Sequence, residues 1–242
     1  MFKIFNLLAI FAILLMFASS FTEEDSSNTV TDIDGNVYQT LKIGTQTWMV
    51  ENLKTTKFND GTSIPNVVDS TAWSNLTAPG YCFYDNDTTY KNNYGALYNW
   101  YTVNAGKLAP KGWHVPTDEE WGMLEDYLTT NGYNYDKSTT GNKIAKSIAA
   151  TTNWSSYTGT GAIGHNLTKN NTSGFAAQPG GYRYGFGAFN EISYEGHWWS
   201  STESSISTTS AWHRYLLYDS DYLYQTTKSM SLGFSIRCLR DY

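Results

Sequence analysis

The clearest local signal in this chain is one capped helix, residues 117–128, set among short strand-like runs broken by glycine, asparagine, serine and threonine. Thr117 is a good N-cap, Glu120 stands three residues on as a capping box, and Asp118, Glu119 and Glu120 fill the first turn. Trp121, Leu124 and Leu128 then form an apolar stripe at i, i+3 and i+7. Glu119 and Glu120 have the look of an acid/base pair, but the helix N-terminus accounts for them more simply. Two shorter helices are expected, at 96–103 with Leu97, Trp100 and Tyr101 on one face, and at 142–149.

The remainder reads as β structure and loop. Asp34-Gly35 between apolar runs predicts a tight hairpin, and 81–84, 182–184, 197–200, 211–218 and 233–239 read as strands. Residues 131–141 and 154–181 are rich in Gly, Asn, Ser and Thr and read as long loops. High glycine and aromatic content with only 16% charged residues suits a loop-rich β protein better than a helical one. With few helices, a long loop region and a β-rich C-terminal half, the expected class is α+β: small antiparallel sheets, two or three helices and long irregular loops. No internal repeat or second domain is evident.

The N-terminus carries Lys3, an apolar run from Leu7 to Ala18, and small residues Ala18-Ser19-Ser20. This is the pattern of an export signal, shorter than the ~20 apolar residues of a membrane span. The division is therefore a signal peptide at 1–20, a polar tether at 21–29 and a domain at 30–242, leaving no membrane span in the mature chain. Retention of the segment as an anchor is the alternative. No cysteine follows the small residues, so the sequence does not read as a lipoprotein. The expected place is the secreted fraction, cell surface or periplasm. A formal net charge of −6 argues against a nucleic-acid partner, whose phosphates call for a basic patch.

Cys82 and Cys238 lie far apart without metal-ligand spacing, which in an exported chain favours a disulfide. Two separately buried thiols are the alternative, since YCFY and SIRCL both read as buried strand. No histidine is placed to make either a nucleophile.

Rings crowd the C-terminal region. Trp198, Trp199, Trp212, Tyr215, Tyr218, Tyr222 and Tyr224 stand among serines and threonines with little charge. Rings in a polar setting suit a contact surface, because each desolvates much area at small entropic cost. Alternation places Trp212, Arg214, Leu216 and Tyr218 on one face and His213, Tyr215 and Leu217 on the other, so about half the rings belong to a core. Tyr222, Tyr224 and one of Trp198/Trp199 are the expected exposed rings, with Asp219 and Asp221 to bond hydroxyls. Asp85-Asn86-Asp87 and Asp219-Ser220-Asp221 could hold a structural calcium, although turn chemistry explains both.

Six blocks in order carry a family resemblance: DGNVYQTLKIGTQTWMVENLKTTKFNDGT (34–62), YGALYNWYTV (94–103), APKGWHVPTDEEW (109–121), SGFAAQPGGYR (173–183), WWSST (198–202) and GFSIRCLRD (233–241). Together they resemble the Fibrobacter succinogenes major paralogous domain. The resemblance implies a C-type-lectin-like fold, of the branch shared with formylglycine-generating enzymes, and an exported protein of the Bacteroidetes or Fibrobacteres surface type. GWHVPTDEEW is similar to the block that opens the long helix of that branch, and GFSIRC to its closing strand.

The sequence departs from the active members of the branch. The enzymes use two neighbouring cysteines, and iron-dependent relatives a histidine triad that His114, His165, His197 and His213 do not space. Gln178-Pro179-Gly180 and Trp199-Ser200-Ser201 lack the acids of a calcium-dependent sugar site. The expected function is thus a non-catalytic, calcium-independent binding module for a glycan or surface protein, with no cofactor. A structural or assembly domain of the cell surface is the alternative, and a metal-dependent oxidase a remote one.

Overall fold

The computed structural model describes residues 28–242. The export signal at 1–20 and nearly all of the tether lie outside the described residues, and position 29 opens the first strand. In chain order the strands are β1 (Thr29–Thr31), β2 (Val37–Ile43), β3 (Gln46–Met49), β4 (Tyr81–Cys82), β5 (Leu97–Tyr98) and β6 (Trp113–His114). They continue with β7 (Gly180–Arg183), β8 (Phe189–Ile192), β9 (Glu195–Glu203), β10 (Ser210–Leu217), β11 (Tyr224–Ser229) and β12 (Leu239–Arg240). The α-helices are α1 (Ser70–Ser74), α2 (Lys91–Tyr94), α3 (Trp100–Asn104), α4 (Asp118–Thr130) and α5 (Ala145–Ile148). One sheet runs β1-β2-β3-β12-β6, a second runs β11-β10-β9-β7-β8, and β4 pairs with β5. The protein is a mixed α+β domain with mostly antiparallel sheets and few helices.

The capped helix forms as its sequence dictates. Thr117 Oγ1 accepts from Glu120 N, and Glu120 Oε2 accepts from Thr117 N at 2.8 Å. Trp121, Leu124 and Leu128 are its buried face, packed with Trp48, Phe175, Trp198 and Leu216 in one of three apolar clusters. The segments at 96–103 and 142–149 are less helical than their apolar spacing suggests. In the first, Leu97 and Tyr98 are recruited as strand β5, and Asn99 caps α3 by accepting from Thr102 N. In the second only Ala145–Ile148 is helical.

The Asp34-Gly35 turn is also wider than a two-residue hairpin. Thr31 pairs with Val37 across a five-residue loop. The carboxylate of Asp32 accepts from Asp34 N, Asn36 N and Tyr38 Oη, capturing the loop backbone before the strands can close. Ladder geometry thus yields to a buried carboxylate.

The closing segment is not a continuous strand over 233–239. It threads between the sheets and bonds to both: Phe234 pairs with Tyr98, Ser235 with Trp198, and Met49 N donates to Cys238 O. Arg237, fully buried, is the pin of this arrangement. Its guanidinium donates to the carbonyls of Met49, Val50, Phe175 and Ala176 and to Asn52 Oδ1, and lies 4.5 Å over the Phe175 ring. Arg183 does the same work in β7, donating to the carbonyls of Gly187, Val67 and Val68 and sitting 4.4 Å over Trp73. Among the described residues neither arginine forms an ion pair with a carboxylate, so carbonyl oxygens, with Asn52 Oδ1 for Arg237, carry most of the compensation that a buried cation requires.

The expected Cys82–Cys238 bridge does not exist. Both cysteines are free and buried. Cys82 packs with Trp73, Tyr84 and Leu97, whereas Cys238 belongs to the cluster of Tyr38, Met49 and Ile236. Two separate apolar clusters hold the two thiols, and burial pushes that of Cys82 up to about 12 and that of Cys238 higher still.

Candidate functional site

The second sheet has two unlike faces, set by the alternation along β10. Arg214 and Leu216 point toward α4: Leu216 joins Trp121 in the core, and Arg214 pairs with Asp118 at the start of the helix. Asp118 N in turn donates to Thr202 Oγ1 of β9. The opposite face carries His213 and Tyr215, as the sequence alternation implies, and there the strands place one ring beside the next. Tyr215 stands opposite His197 on β9 and Tyr224 on β11. β7 joins in parallel register, Gly181 beside Gly196, which brings Tyr182 alongside His197.

The result is a row of rings across four strands: Tyr182, His197, Tyr215 and Tyr224, with centroids 4.8, 5.3 and 4.7 Å apart. Gly181 lets β8 close on the other edge of β7, since at φ +59° a Cβ there would come within 2.4 Å of Asn190 O. The His197 and Tyr215 planes differ by 7° and those of Tyr215 and Tyr224 by 18°. Among His197, Tyr215 and Tyr224 ring faces are therefore spent on each other and edges point outward, while Tyr182 meets His197 edge to face at 68°. Free faces occur at its ends. Phe186, 64% exposed, stacks on Tyr184, and Tyr222, 42% exposed, tilts against Tyr224.

Beside this row lies a cleft of about 360 Å³ lined by Tyr182, Tyr184, His197, His213, Tyr215 and Phe234, with Glu195, Thr226 and Lys228 as polar members. His197 Nε2 lies 2.7 Å from Glu195 Oε2, and His213 Nδ1 lies 2.9 Å from Thr226 O. Those acceptors place the ring protons on Nε2 of His197 and Nδ1 of His213. The other two nitrogens, His197 Nδ1 and His213 Nε2, are buried without a hydrogen-bond partner among the described residues. Burial holds both imidazoles neutral, with His197 drawn down to about 3. Burial also raises Glu195 above the ordinary carboxylate range.

The ring candidates from sequence divide sharply. Trp198 and Trp199 are 1% and 0% exposed, so neither is a surface ring. Trp198 Nε1 donates to Asn52 Oδ1 and Trp199 Nε1 to Tyr98 O, on opposite faces of β9. An adjacent pair on a strand must face both ways, and here both faces are covered. Trp212 is half-buried opposite Thr227. Tyr218 packs against Tyr157 and Tyr194, away from the row. Tyr215, Tyr222 and Tyr224 belong to the row. Asp219 is exposed, and Asp221 receives Ala145 N on its carbonyl.

Asp85 and Asn86 take left-handed turn conformations, and Asp87 accepts from Thr89 N. Among the described residues, no group of three or more His, Cys, Asp or Glu is arranged to hold a metal ion. Sequence reasoning missed Phe186, Tyr184, His197 and His213. The i, i+2, i+4 spacing of Tyr182, Tyr184 and Phe186 was the available signal.

A mixed α+β domain with one sheet face sealed by a helix and the other carrying a ring-lined cleft defines the class. The chain belongs to the Fibrobacter succinogenes major domain family, whose model matches residues 41–240. Comparison with curated proteins and with solved structures returned no match.

Proposed function

We propose that this domain is an exported, non-catalytic binding module of C-type-lectin-like type that takes a glycan, without calcium, at the ring row of its second sheet. The fold reading is supported by the first and last strands sharing one sheet and by the long loops between α4 and β7. The observation that carries the ligand reading is the row Tyr182–His197–Tyr215–Tyr224, which borders a ring-lined cleft with a few convergent polar groups. Edge-on tyrosines present hydroxyls, and Phe186 and Tyr222 offer free faces at either end. A hydroxyl-rich ligand with apolar ring faces complements both.

Retention on immobilised polysaccharides tests this directly. Tyr215→Phe removes one hydroxyl alone, and Phe186→Ala and Tyr222→Ala remove the terminal faces. Reduced retention with unchanged melting supports the reading. Wild-type retention by all three variants, or no glycan retained by the native protein, rejects it.

A further inference from the structure

A second cleft, of about 410 Å³, opens between the loop after α4 and the loop 155–172. None of its lining residues belongs to the ring row. Tyr133, Tyr135, Lys137, Lys146, His165 and Lys169 supply its rings and its charge. Three ammonium groups bordering one cleft are unexpected in a chain of net charge −6.

None of the three is neutralised by an acid among the described residues, where the lysine ion pairs are Lys57–Asp34, Lys107–Asp60 and Lys143–Asp136. Lys146 is buried, and its Nζ is enclosed by the carbonyls of Ala162, Ile163, His165 and Asn166 and by Asn170 Oδ1 at 2.5 to 3.3 Å. Five acceptors around three N–H groups saturate it, so it contributes field rather than a free donor. Burial, with Lys169 adding repulsion, draws Lys146 down to about 8. Lys137 and Lys169 are exposed and make no side-chain hydrogen bond among the described residues, which leaves their donors toward the cleft. Asp136, the neighbouring acid, is already engaged by Lys143 and Ser138.

The wall that presents Lys137 is held rigidly. Asn134, fully buried, donates from Nδ2 to the carbonyls of Ser138, Thr140 and Gly141, and its Oδ1 accepts from Lys143 N. That pin keeps Lys137 at φ +63°, a left-handed conformation that costs a non-glycine residue free energy. The ring of Tyr135 lies flat on Gly161, where a Cβ would come within 2.5 Å of the ring, and it stays 37% exposed. A half-exposed ring seated beside uncompensated cations is a surface for a cyclic, negatively charged ligand. The ring covers an apolar face, and the ammonium groups bind the anion.

We infer that this cleft is a subsite for an anionic sugar unit, carboxylated or sulfated, with Lys137 and Lys169 as its direct cation contacts and Tyr135 as its stacking platform. The inference is separate from the ring row, and its test separates the two.

Titration calorimetry of the folded protein with a hexuronate oligomer, a sulfated hexose oligomer and a neutral hexose oligomer of equal length reads the subsite. An anionic oligomer binds at least roughly 10-fold more tightly than the neutral one, and binding weakens as ionic strength rises. Comparison of the two anionic oligomers identifies the charged group. Lys137→Ala/Lys169→Ala loses roughly 10-fold in affinity for the anionic oligomer, Lys137→Arg/Lys169→Arg retains it, and Tyr215→Phe, whatever it does to glycan binding at the ring row, leaves the preference for the anionic over the neutral oligomer unchanged. Both lysines are exposed, so melting temperature checks that the variants fold. Equal binding of anionic and neutral oligomers, or an alanine pair that binds like the native protein, overturns the inference. Loss of the anionic preference on Tyr215→Phe assigns the charge readout to the ring row and also overturns it.

Discussion

The imidazoles of His197 and His213 lie 5.5 Å apart with planes 16° from parallel, on neighbouring strands, each with one buried nitrogen that finds no hydrogen-bond partner among the described residues. Glu195 and Thr226 fix their tautomers from outside, and Phe234 stacks on both rings from within. The pair is built to be neutral. A proton on either ring would be desolvated, close to its neighbour and near Lys228.

Acid should therefore destabilise the fold through these rings. In the unfolded chain the imidazoles take up protons below about 6.5, while in the folded state His197 does so only near 3. The unfolded state binds more protons in that window, so stability is full above about 6.5 and falls as pH drops toward 3. The raised Glu195 slopes the other way. Chemical denaturation at stepped pH checks this: the decline should be shallower in His197→Phe/His213→Phe than in the native protein. Equal slopes would count against it.

Arg237→Met should cost roughly 3–5 kcal/mol, because it strands the carbonyls that one guanidinium satisfies. Arg237→Lys keeps the charge but cannot bond Met49, Asn52 and Phe175 together, so it should recover little of the loss. Urea midpoints measure both.

Reducing agent should leave the melting temperature unchanged, since both cysteines are free. Neither thiol should react with an aromatic disulfide reagent in the native state, and both should react in denaturant, because burial disfavours the thiolate.

The aromatic run should split by depth. Trp198→Ala and Trp199→Ala should each destabilise by roughly 3–5 kcal/mol, as buried rings with bonded indole N–H groups. Tyr222→Ala should cost far less, its ring being 42% exposed. Thermal unfolding of the three variants decides.

Thr117→Ala should lower stability by about 1 kcal/mol through loss of the capping box. A denaturation midpoint matching the native protein would show that docking of Asp118 on Arg214 and Thr202 suffices to fix the helix start.

Local chemistry made some of this molecule legible in advance. The helix at 118–130 follows from Thr117, Glu120 and an apolar stripe, all interactions within a few residues. The α+β class follows from short strands and a scarcity of helical runs, and the two faces of β10 follow from strand alternation. The rest depends on partners far away in sequence. Cys82 and Cys238 share a strand-like setting, but only the packing of separate clusters shows that they do not meet. Trp198 and Tyr222 look equally available in sequence, and burial depends on what lies over each. The ring row needs Tyr182, His197, Tyr215 and Tyr224 brought side by side by strand register. Residue type, capping and alternation act over a few residues and were written in the chain. Ring exposure, thiol separation and the grouping of uncompensated lysines arise from long-range register and burial, which only the tertiary structure decided.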